Sequence, residues 1–359
     1  MSIYDYLDKD VFNKLDTGEV RKIQITGKST YIISLPKKWV KDLGLKAGSQ
    51  LIISKKDNQT LLITPKDIVK SLKPKGGLIT ISGNDNLDTI IRKIVSLYLV
   101  GYSIIRVKTR SEELSPLQRN KIKEFLRKKL IGAEVLSEDS KEIEIRILIG
   151  HPELSLENAL RRACNIIISM YNDISVAIVQ LNKDLANEII RVDDEVDRLY
   201  LYIIRQLKAA VEDEKILEVS GLTNPRDCLG YRVIVKFVER IADHLVKIAE
   251  NILLLEPPIN DLIIKKFLEI SMFAKNLFEE AINSLYKKDY VQADKVIYKA
   301  KSISIIENEF IKLIEETKGK NAPILRLMVE SVRRTAEYAS DIAEIVLNLN
   351  IEKNIDKSL

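Results

Sequence analysis

Four acidic side chains in the second half of the sequence have the type and spacing of a metal site. Asp193 and Asp197 lie in VDDEVDRL, and Glu239 and Asp243 lie in ERIADH. Residues four apart share one face of a helix, so each pair presents two carboxylates side by side. Each pair also borders an apolar stripe, which predicts that the acids face a seam between packed helices. Acids at such a seam repel one another and are costly to desolvate unless cations neutralise them.

Carboxylate oxygens suit hard cations such as magnesium, manganese, calcium or ferric ions. The sequence therefore predicts that these acids bind a divalent or ferric metal ion. Iron, zinc, manganese and magnesium are the candidates, and the identity and number of ions stay open. Asp194 and Glu250 are available as supplementary ligands. The alternative is a solvated acidic helix face, which is common in highly charged helical proteins.

The acids belong to a region that is helical almost throughout, from about Leu154 to Asn350. The pattern of this region predicts six helices. The connections between them are short, which favours antiparallel packing of consecutive helices and therefore helical bundles. The predicted breaks fall near Asn182, residues 223–225, residues 257–258, residues 287–289 and residues 319–323.

The six helices are predicted to be two copies of three, at residues 153–257 and 258–352, because short segments recur in register. LANEII at 185–190 matches QADKVI at 292–297. ERIADHLVKIAEN, which begins at Glu239, matches RRTAEYASDIAEI, which begins at Arg333.

The second copy lacks most of the acids. In these alignments Asp193 and Asp197 correspond to Ala300 and Ser304, and Glu239 corresponds to Arg333. Asp243 corresponds to Glu337, which with Asp341 leaves a weak pair of acids. We therefore expect no metal cluster in the second copy, and we expect Arg333 and Arg334 to pair with acidic side chains.

The two tandem three-helix bundles resemble the PhoU family, whose hallmark is E/D-x-x-x-D on the second and third helices of each bundle. The resemblance covers about 200 residues, and ERIADHLVKIAEN is close to the commonest sequence of this motif in the family. It implies a regulator of phosphate uptake, with metal on Asp193, Asp197, Glu239 and Asp243. The segments that precede the bundles match archaeal-type members, which carry an AbrB-like head.

Residues 76–150 read as a small α/β sandwich with the order βαβαββ, for which we expect a ferredoxin-like type. Ser115 is predicted to cap its second helix, with Pro116 in the first turn. The segment has no phosphate loop, glycine fingerprint or paired catalytic residues. A spacer or dimerisation domain is therefore preferred to a ligand sensor.

The N-terminal region is basic and reads as short strands. Residues 1–77 hold 15 Lys and Arg against 8 Asp and Glu, and residues 20–56 hold nine basic residues against Asp42 alone. A basic segment on a nearly neutral body suits a nucleic-acid reader, because neutralised phosphates drive affinity. A solvated lysine-rich surface is the alternative. A segment this short, made of short strands, buries little apolar surface by itself. We therefore expect it to form its hydrophobic core together with a second copy of the chain.

Residues 20–68 resemble the AbrB/SpoVT swapped-hairpin family, in which two chains interleave their hairpins into a dimeric DNA-binding barrel. The resemblance rests on Gly27, Ile33, Leu35-Pro36, Leu43-Gly44-Leu45 and Gly48, which follow the pattern of the family in order. Ser49 departs from it, because the family usually has Asp there. A pure dimerisation module is the alternative to DNA binding. By position, the resemblance implies DNA contacts at Arg21, Lys22, Lys28, Lys37 and Lys38.

The remaining composition excludes several classes of function. Cys164 and Cys228 are the only cysteines, and His151 and His244 are the only histidines, so a disulfide framework and a thiolate zinc site are excluded. We expect both cysteines to be buried free thiols. No nucleophile elbow, zinc motif or Walker sequence occurs, so the chain is predicted not to be an enzyme. Without a signal peptide or a membrane span, it is predicted to be cytoplasmic.

The sequence thus predicts a multidomain, mainly α protein: a swapped-hairpin β module, a small α/β sandwich and two PhoU-like bundles. The expected function is a homodimeric, phosphate-responsive regulator that binds DNA. One alternative is an adaptor that binds a phosphate transporter ATPase or a sensor kinase without contacting DNA. Another is a carboxylate-bridged metal-binding, storage or hydrolytic protein. The operator, the effector and the oligomeric state beyond a dimer stay open.

Overall fold

Residues 1–73 and residues 74–359 form two separate units in the computed structural model. Lys28 and His151, both named above, lie outside the residues that the structure describes. Those described residues are 19–27, 29–55, 60–66, 75–82, 85–110, 113–148, 154–317 and 319–355.

The head, residues 1–73, contains two antiparallel strand pairs with a short helix between them. Ile25 lies opposite Tyr31 in the first pair, and Leu51 lies opposite Pro65 in the second. Gly44, with φ +65°, follows the helix in the left-handed region that favours glycine. The predicted strands, hairpin and helix are therefore confirmed. Their bounds are β1 Gln24–Thr26, β2 Thr30–Ile32, α1 Lys37–Asp42, β3 Leu51–Lys55 and β4 Leu61–Pro65.

The head hardly buries its own apolar residues. Among its described residues only Pro36 and Pro65 are buried. Large apolar side chains on all four strands or beside them are instead exposed, namely Ile23, Ile25, Tyr31, Ile32, Ile33, Ile52, Ile53, Leu61 and Leu62. A single copy of this segment therefore lacks a core over the residues described.

The second unit begins with a two-layer α/β domain, whose helices cover one face of a four-stranded sheet. Ile105 and Ile145 from the sheet pack with Ile94 and Ile122 from the helices. The predicted capping box at Ser115 is confirmed. The elements are β5 Gly76–Ile81, α2 Leu87–Leu99, β6 Ile104–Thr109, α3 Pro116–Lys129, β7 Ala133–Glu138 and β8 Glu142–Ile147.

The order of strands in the sheet is β5-β6-β8-β7, with β5 and β6 parallel and the other neighbours antiparallel. A ferredoxin-like chain runs βαββαβ, so the expected ferredoxin-like type is corrected here. The physical reason is the short connection after Glu138, which makes β7 and β8 an antiparallel hairpin at the end of the domain.

Helices fill the rest of the unit, and the predicted breaks between them are confirmed. The structure adds a short helix after the second long one, and it divides the fifth predicted helix at Lys301 and Ser302. The helices are α4 Leu156–Gln180, α5 Lys183–Glu212, α6 Glu214–Val219, α7 Asp227–Leu254, α8 Asp261–Lys287, α9 Tyr290–Ala300, α10 Ile303–Thr317 and α11 Ala322–Asn350, followed by the 3-10 turn Ile351–Lys353.

The internal repeat is visible in the backbone. Leu181 ends α4 with φ 48°, and Lys288 ends α8 with φ 55°, both in the left-handed region. The next residue in each copy, Asn182 or Asp289, caps the following helix with its side chain. The turn before the second helix therefore has the same conformation in both copies, and it lies at the position expected from the alignment of LANEII with QADKVI.

The third helices of the two copies pack against each other. A Cβ atom on Gly230 of α7 would lie 2.9 Å from Leu349 Cδ2 of α11, so glycine permits this close approach. Further along, the rings of Phe237 and Tyr338 stack at 5.6 Å. One continuous cluster of buried residues runs through both bundles.

The α/β domain contacts the bundles mainly through α5. Leu201 of α5 packs against the core of the α/β domain, and Leu99 packs against the bundle core. Arg205 of α5 donates hydrogen bonds to the carbonyl oxygens of Tyr98 and Gly101, and its guanidinium lies 4.9 Å from the Tyr98 ring centre. These contacts fix the C-terminal end of α2 on α5.

Helix α4 is the one described helix that is long and apolar enough to cross a membrane by length and composition alone. Its apolar face, which includes Ile167, Met170 and Ile174, packs in the bundle core. Core helices of soluble proteins commonly have this composition.

Candidate metal site and nucleic-acid interface

The four predicted acids lie on the neighbouring helices α5 and α7. The Asn182 cap starts α5, and its apolar residues Val196 and Leu199 turn inward, which leaves Asp193 and Asp197 at the border of the buried face. Glu239 and Asp243 take the same border position on α7, and all four side chains are partly buried. The amphipathic pattern of each helix thus places the acids along one seam.

The carboxylates lie close enough to affect one another's titration. Burial raises the pKa of Asp193 to about 7, and the charges of Asp197 and Asp243 add to the rise. Burial also raises the pKa of Asp243, again with a contribution from Asp197. The pKa of Glu239 is raised by burial and by Asp243, although Lys236 opposes the rise. The structure therefore places all four predicted residues along the seam between α5 and α7, within reach of one another's charges.

One oxygen of this group, Asp193 Oδ1, is buried and has no hydrogen-bond partner. A buried carboxylate oxygen without a partner is costly, because it has lost its water and gained nothing in return. A solvated acidic face would not contain such an atom. Asp193 is therefore the member of the group that most needs a proton or a cation.

Two lysines neutralise the edges of the seam. The ammonium of Lys129 lies 2.5 Å from Asp194 Oδ1 and 2.7 Å from Asp197 Oδ2. The ammonium of Lys236 lies 2.5 Å from Glu239 Oε2. Asp194, proposed above as a supplementary ligand, is thus paired with lysine, and Glu250 is exposed on α7.

The donor atoms fit a hard cation, although they are not gathered in coordination geometry. No group of three or more His, Cys, Asp or Glu side chains within the described ranges is arranged to hold a metal. Three features suit these residues to a cation: their donors are oxygens, a cation would relieve the repulsion between the carboxylates, and Asp193 Oδ1 has no hydrogen-bond partner.

The equivalent place in the second bundle holds a guanidinium. Arg333 of α11 lies 3.0 Å from Glu307 Oε2 of α10 and also pairs with Glu337. Arg334 lies 3.0 Å from the other Glu337 oxygen. The expected pairing of both arginines with acids is confirmed. Asp341 stays partly buried, and burial raises its pKa, with Glu344 and Glu337 adding to the rise.

Sequence reasoning missed Glu307, because an ungapped alignment placed Ser304 opposite Asp197. The break in the helix at Lys301 and Ser302 shifts the register of α10. In the sequence, only Lys301 and Ser302 themselves indicated locally that the helix would break and change register there.

The basic residues of the head lie on two separate segments. Arg21 and Lys22 precede β1, and Arg21 pairs with Glu19. Lys37 and Lys38 form the first turn of α1. All four are exposed, as a phosphate contact requires, whereas Lys28 lies outside the described residues.

The two cysteines and one nitrogen of His244 are buried. Both cysteines are buried free thiols, as predicted, and burial raises the pKa of Cys164 to about 12. His244 Nδ1 is buried without a hydrogen-bond partner. Burial and the nearby cations of Lys247 and Arg334 lower the pKa of His244 to about 4. A thiol and an imidazole held neutral in this way are poor nucleophiles or bases at neutral pH.

Comparison with known protein families identifies two segments. Residues 160–252 match the PhoU domain. Residues 24–71 match the family described as antidote-toxin recognition MazE, bacterial antitoxin. The first match spans most of α4, α5 and α7 and includes all four acids, and the second spans the described strands of the head.

Similar proteins agree with the first match. The chain is 24% identical over 204 residues to the phosphate-specific transport system accessory protein PhoU homolog of Borreliella burgdorferi, which covers 53% of this chain and 89% of that protein. Two crystal structures are also similar. The phosphate transport system regulatory protein PhoU from Streptococcus pneumoniae has a TM-score of 0.48 and 16% identity, covering 56% of this chain and 96% of its own. PhoU from Pseudomonas aeruginosa has a TM-score of 0.45 and 18% identity, covering 55% and 96%.

Proposed function

Since residues 160–252 match the PhoU domain, we propose that this chain is a regulator of phosphate uptake in which the first bundle binds metal and the head binds DNA. The observation that carries the proposal is the place of the acids. Asp193, Asp197, Glu239 and Asp243 all fall inside the matched segment and meet at one seam. The chain acts by binding and carries out no catalysis.

In this proposal Asp193, Asp197, Glu239 and Asp243 hold a divalent or ferric ion through their oxygens. The ion supplies positive charge to a seam where acids otherwise repel one another. An ion held by Asp193 would replace a proton on that carboxyl group and would give its orphaned oxygen a partner. Iron, zinc, manganese and magnesium all meet this need, with carboxylate sites favouring the harder ions.

The head contacts DNA through Lys37 and Lys38, with Arg21, Lys22 and Lys28 as further contacts. The match to an antitoxin family over residues 24–71 and the basic charge of the segment support this assignment. Two copies of the chain pair through the exposed apolar strands of the head, as in the swapped-hairpin arrangement. The exposure of residues such as Ile25 and Ile53 supports pairing, because isolated strand pairs without a core are marginally stable in water.

A second candidate function is an adaptor, which binds a phosphate transporter ATPase or a sensor kinase while the head only dimerises. The observation that favours it is the name of the Borreliella burgdorferi relative, an accessory protein of a phosphate-specific transport system. No observation on the described residues favours a metal-storage or hydrolytic role.

The deciding experiment is fluorescence anisotropy with the full chain and a labelled duplex from the region upstream of its own gene. A scrambled duplex of equal length and composition is the control. Titrations run at one salt concentration, with and without phosphate and with and without manganese or magnesium. Tighter binding to the upstream duplex, with an affinity that changes with phosphate or metal, supports the proposal.

Equal binding to both duplexes under every condition overturns the role in sequence-specific regulation. The adaptor function then predicts that the purified chain binds the purified transporter ATPase or sensor kinase. Sedimentation of the mixture measures that complex directly, and the binding of Mn²⁺ alone tests the metal part separately.

A further inference from the structure

The α/β sheet carries its two helices on one face, and the residues of its other face are in contact with solvent. Along each strand the outward residues alternate with the buried ones. Ile105 and Ile145 are buried in the domain core, whereas the residues that follow them, Arg106 and Arg146, are exposed. We call the outward surface the open face. Its members are Leu78 and Thr80 of β5, Ile104, Arg106 and Lys108 of β6, Glu142, Glu144 and Arg146 of β8, and Glu134, Leu136 and Ser137 of β7.

One row across the open face is apolar at both ends and charged in the middle. The strand registers place Leu78 beside Arg106, and Arg106 beside Glu144. On the far side of Glu144 lies the bulge of β7, which contains Leu136. Leu78 is 63% exposed and Leu136 is 55% exposed, while Arg106 Nε donates a hydrogen bond to Glu144 Oε2 at 2.8 Å. The order along the row is therefore apolar, cation, anion, apolar.

The neighbouring row repeats the order of charges. Lys108 of β6 lies beside Glu142 of β8, with its ammonium 3.7 Å from the carboxylate. In both rows the cation is on β6 and the acid is on β8. The third row differs, because there β8 carries Arg146, which lies beside Glu134 of β7 and 4.0 Å from Glu144. The centre of the open face thus has a positive side on β6 and a negative side on β8.

This order makes the open face complementary to a second copy of itself. A two-fold axis that runs along the strands, between β6 and β8, places β6 of one copy over β8 of the other and β5 over β7. Leu78 of one copy then meets Leu136 of the other, and Arg106 meets Glu144. Every such contact occurs twice, as in other isologous interfaces. The row of Lys108 and Glu142 matches in the same register.

The central pair has the capacity for a second partner. Arg106 uses one of its five N–H donors on its own Glu144, so others remain for the carboxylate of a second copy. The side chain of Glu144 is only 13% exposed, so its charge is screened less than a charge in open water. Around the axis the two arginines and two glutamates form a ring of alternating charge. The ring fixes the register, and the leucines at the ends of the row contribute buried apolar surface.

The open face is too small to hold two free copies together. Four strands of six residues each form the sheet. Such a sheet measures roughly 19 Å by 20 Å, so two copies bury on the order of 800 Å², against about 1,200 Å² or more in stable complexes. A dimer already formed at the head removes this difficulty, because the linked second copy is then present at a high effective concentration.

We propose that the open face of the α/β domain is a second contact of the dimer, packed against the same face of a second copy of the chain. The inference rests on the dimer of the proposed function, and it adds a surface that lies outside both segments matched to known families. The two copies are then joined at two places along the chain, the head and the α/β sheet.

The first test is disulfide cross-linking of the full chain with Leu78→Cys and Leu136→Cys combined. The two positions lie on the opposite edge strands β5 and β7. Within one copy they are therefore about 14 Å apart, beyond the roughly 7 Å between Cα atoms that a disulfide spans. A disulfide between them forms only across two copies. We expect mild oxidation to convert most of the protein to a covalent dimer on non-reducing electrophoresis.

The matched control is Leu117→Cys combined with Leu136→Cys. Leu117 is 68% exposed on α3, which covers the opposite face of the sheet. This variant has the same number of added thiols and should give little covalent dimer. The native Cys164 and Cys228 are buried and do not compete.

The second test reverses the charges of the central row in the cross-linking variant. Arg106→Glu alone places acids opposite acids across the axis, and Glu144→Arg alone places cations opposite cations. We expect each to cross-link with itself at least about tenfold more slowly than the parent cross-linking variant. When the two variants are co-expressed, with a size tag on one of them, opposite charges meet at both contacts and mixed pairs should cross-link preferentially. The change inside each sheet is the same alone and mixed, so a folding defect does not produce this difference.

Sedimentation of the unmodified full chain separates this inference from the proposed function. If the chain is a dimer and the Leu78 and Leu136 variant cross-links no better than its control, the inference is overturned and the α/β domain is a spacer. If the chain sediments as a monomer and no cross-link forms, the dimer of the proposed function fails, and the inference fails with it. Equal cross-linking of like and mixed pairs of the charge variants rejects the pairing of Arg106 with Glu144.

Discussion

Arg333 of the second bundle lies 3.0 Å from Glu307, at the place where the first bundle has carboxylates on both helices. Arg333 corresponds to Glu239 in the repeat, so an acid in one copy has become a cation in the other. Its guanidinium also pairs with Glu337. A fixed positive side chain thus pairs with acids in the second copy, at the place where we propose that the first copy binds an ion.

The two copies should therefore differ in metal binding. A ligand that binds only the folded state stabilises it, so at about 100 times the dissociation constant Mn²⁺ should raise the unfolding free energy by about 2.7 kcal/mol. Asp197→Asn should abolish most of that increase, because it removes a ligand from the seam. Thermal unfolding with and without Mn²⁺ measures the effect.

Glu337→Gln is the matched control in the second copy. It should change the stability of the metal-free protein, because Arg333 and Arg334 lose a partner, yet leave the increase on adding Mn²⁺ intact. Equal loss of the Mn²⁺ effect in both variants would show that the two bundles share the ion.

The metal-free protein should become less stable as the pH rises from 3.8 to about 7. The pKa of Asp193 is about 7 in the folded chain against an ordinary value of 3.8, so the folded state holds a proton that the unfolded state has lost between these values. Stability falls across that window by about 1 to 2 kcal/mol, because solvent screens part of the effect at a partly buried carboxyl group.

Chemical denaturation at pH 5 and pH 8 in the presence of a chelator tests this prediction. Asp193→Asn should remove most of the loss, because an amide does not titrate. Asp184→Asn, at an exposed position in the first turn of α5, should keep the slope of the parent. A parent protein with the same pH slope as Asp193→Asn would contradict the assignment.

Removing two lysines from the head should weaken DNA binding in a salt-dependent way. Each neutralised phosphate contributes about 0.9 to the slope of log affinity against log salt, so Lys37→Ala with Lys38→Ala should flatten that slope by about 2. Anisotropy titrations at several salt concentrations measure it. The double variant Lys121→Ala with Lys128→Ala, on α3, should bind nearly as the parent does. Parent-like affinity of the head variant at every salt concentration would exclude α1 from the DNA-binding face.

A charge on the apolar strands of the head should separate the two copies of the chain. Ile53 lies on β3 with 63% of its surface exposed in a single copy. If a partner covers it, Ile53→Asp must bury a carboxylate and should weaken dimerisation by at least about tenfold. Sedimentation of the full chain measures the dissociation constant, and Val179→Asp, which is 53% exposed on α4, is the control. Equal dimerisation of the Ile53→Asp variant and the parent would place the dimer interface elsewhere.

The sequence predicted local features well, because short-range rules determine them. Gly27 and Pro65 ended strands in the head, the Ser115 cap started α3, and amphipathic spacing placed Asp193 and Asp197 at the edge of a buried face. Both pairs of acids lie along one seam because two such edges meet where α5 packs on α7.

Features that depend on distant parts of the chain could not be predicted in this way. Lys129 reaches Asp197 from a domain that precedes the bundle, and nothing in the spacing of either segment indicates their contact. Glu307 was missed because the break near Ser302 changes the helical register of α10 relative to the first copy. Helix propensities of the residues at the break do not locate it. The order of strands in the α/β sheet likewise follows from pairing between strands, which the βαβαββ pattern leaves undetermined.

The close approach of Gly230 to Leu349 ties the evolution of the two bundles together. A side chain at position 230 would require the Leu349 side chain of the other bundle to shift, because a Cβ atom there would lie 2.9 Å from Leu349 Cδ2. The second copy has Arg333 where the first copy has Glu239, but its last helix still packs closely against α7 at this point. Sequence change in one half of the protein must therefore be read together with the other half.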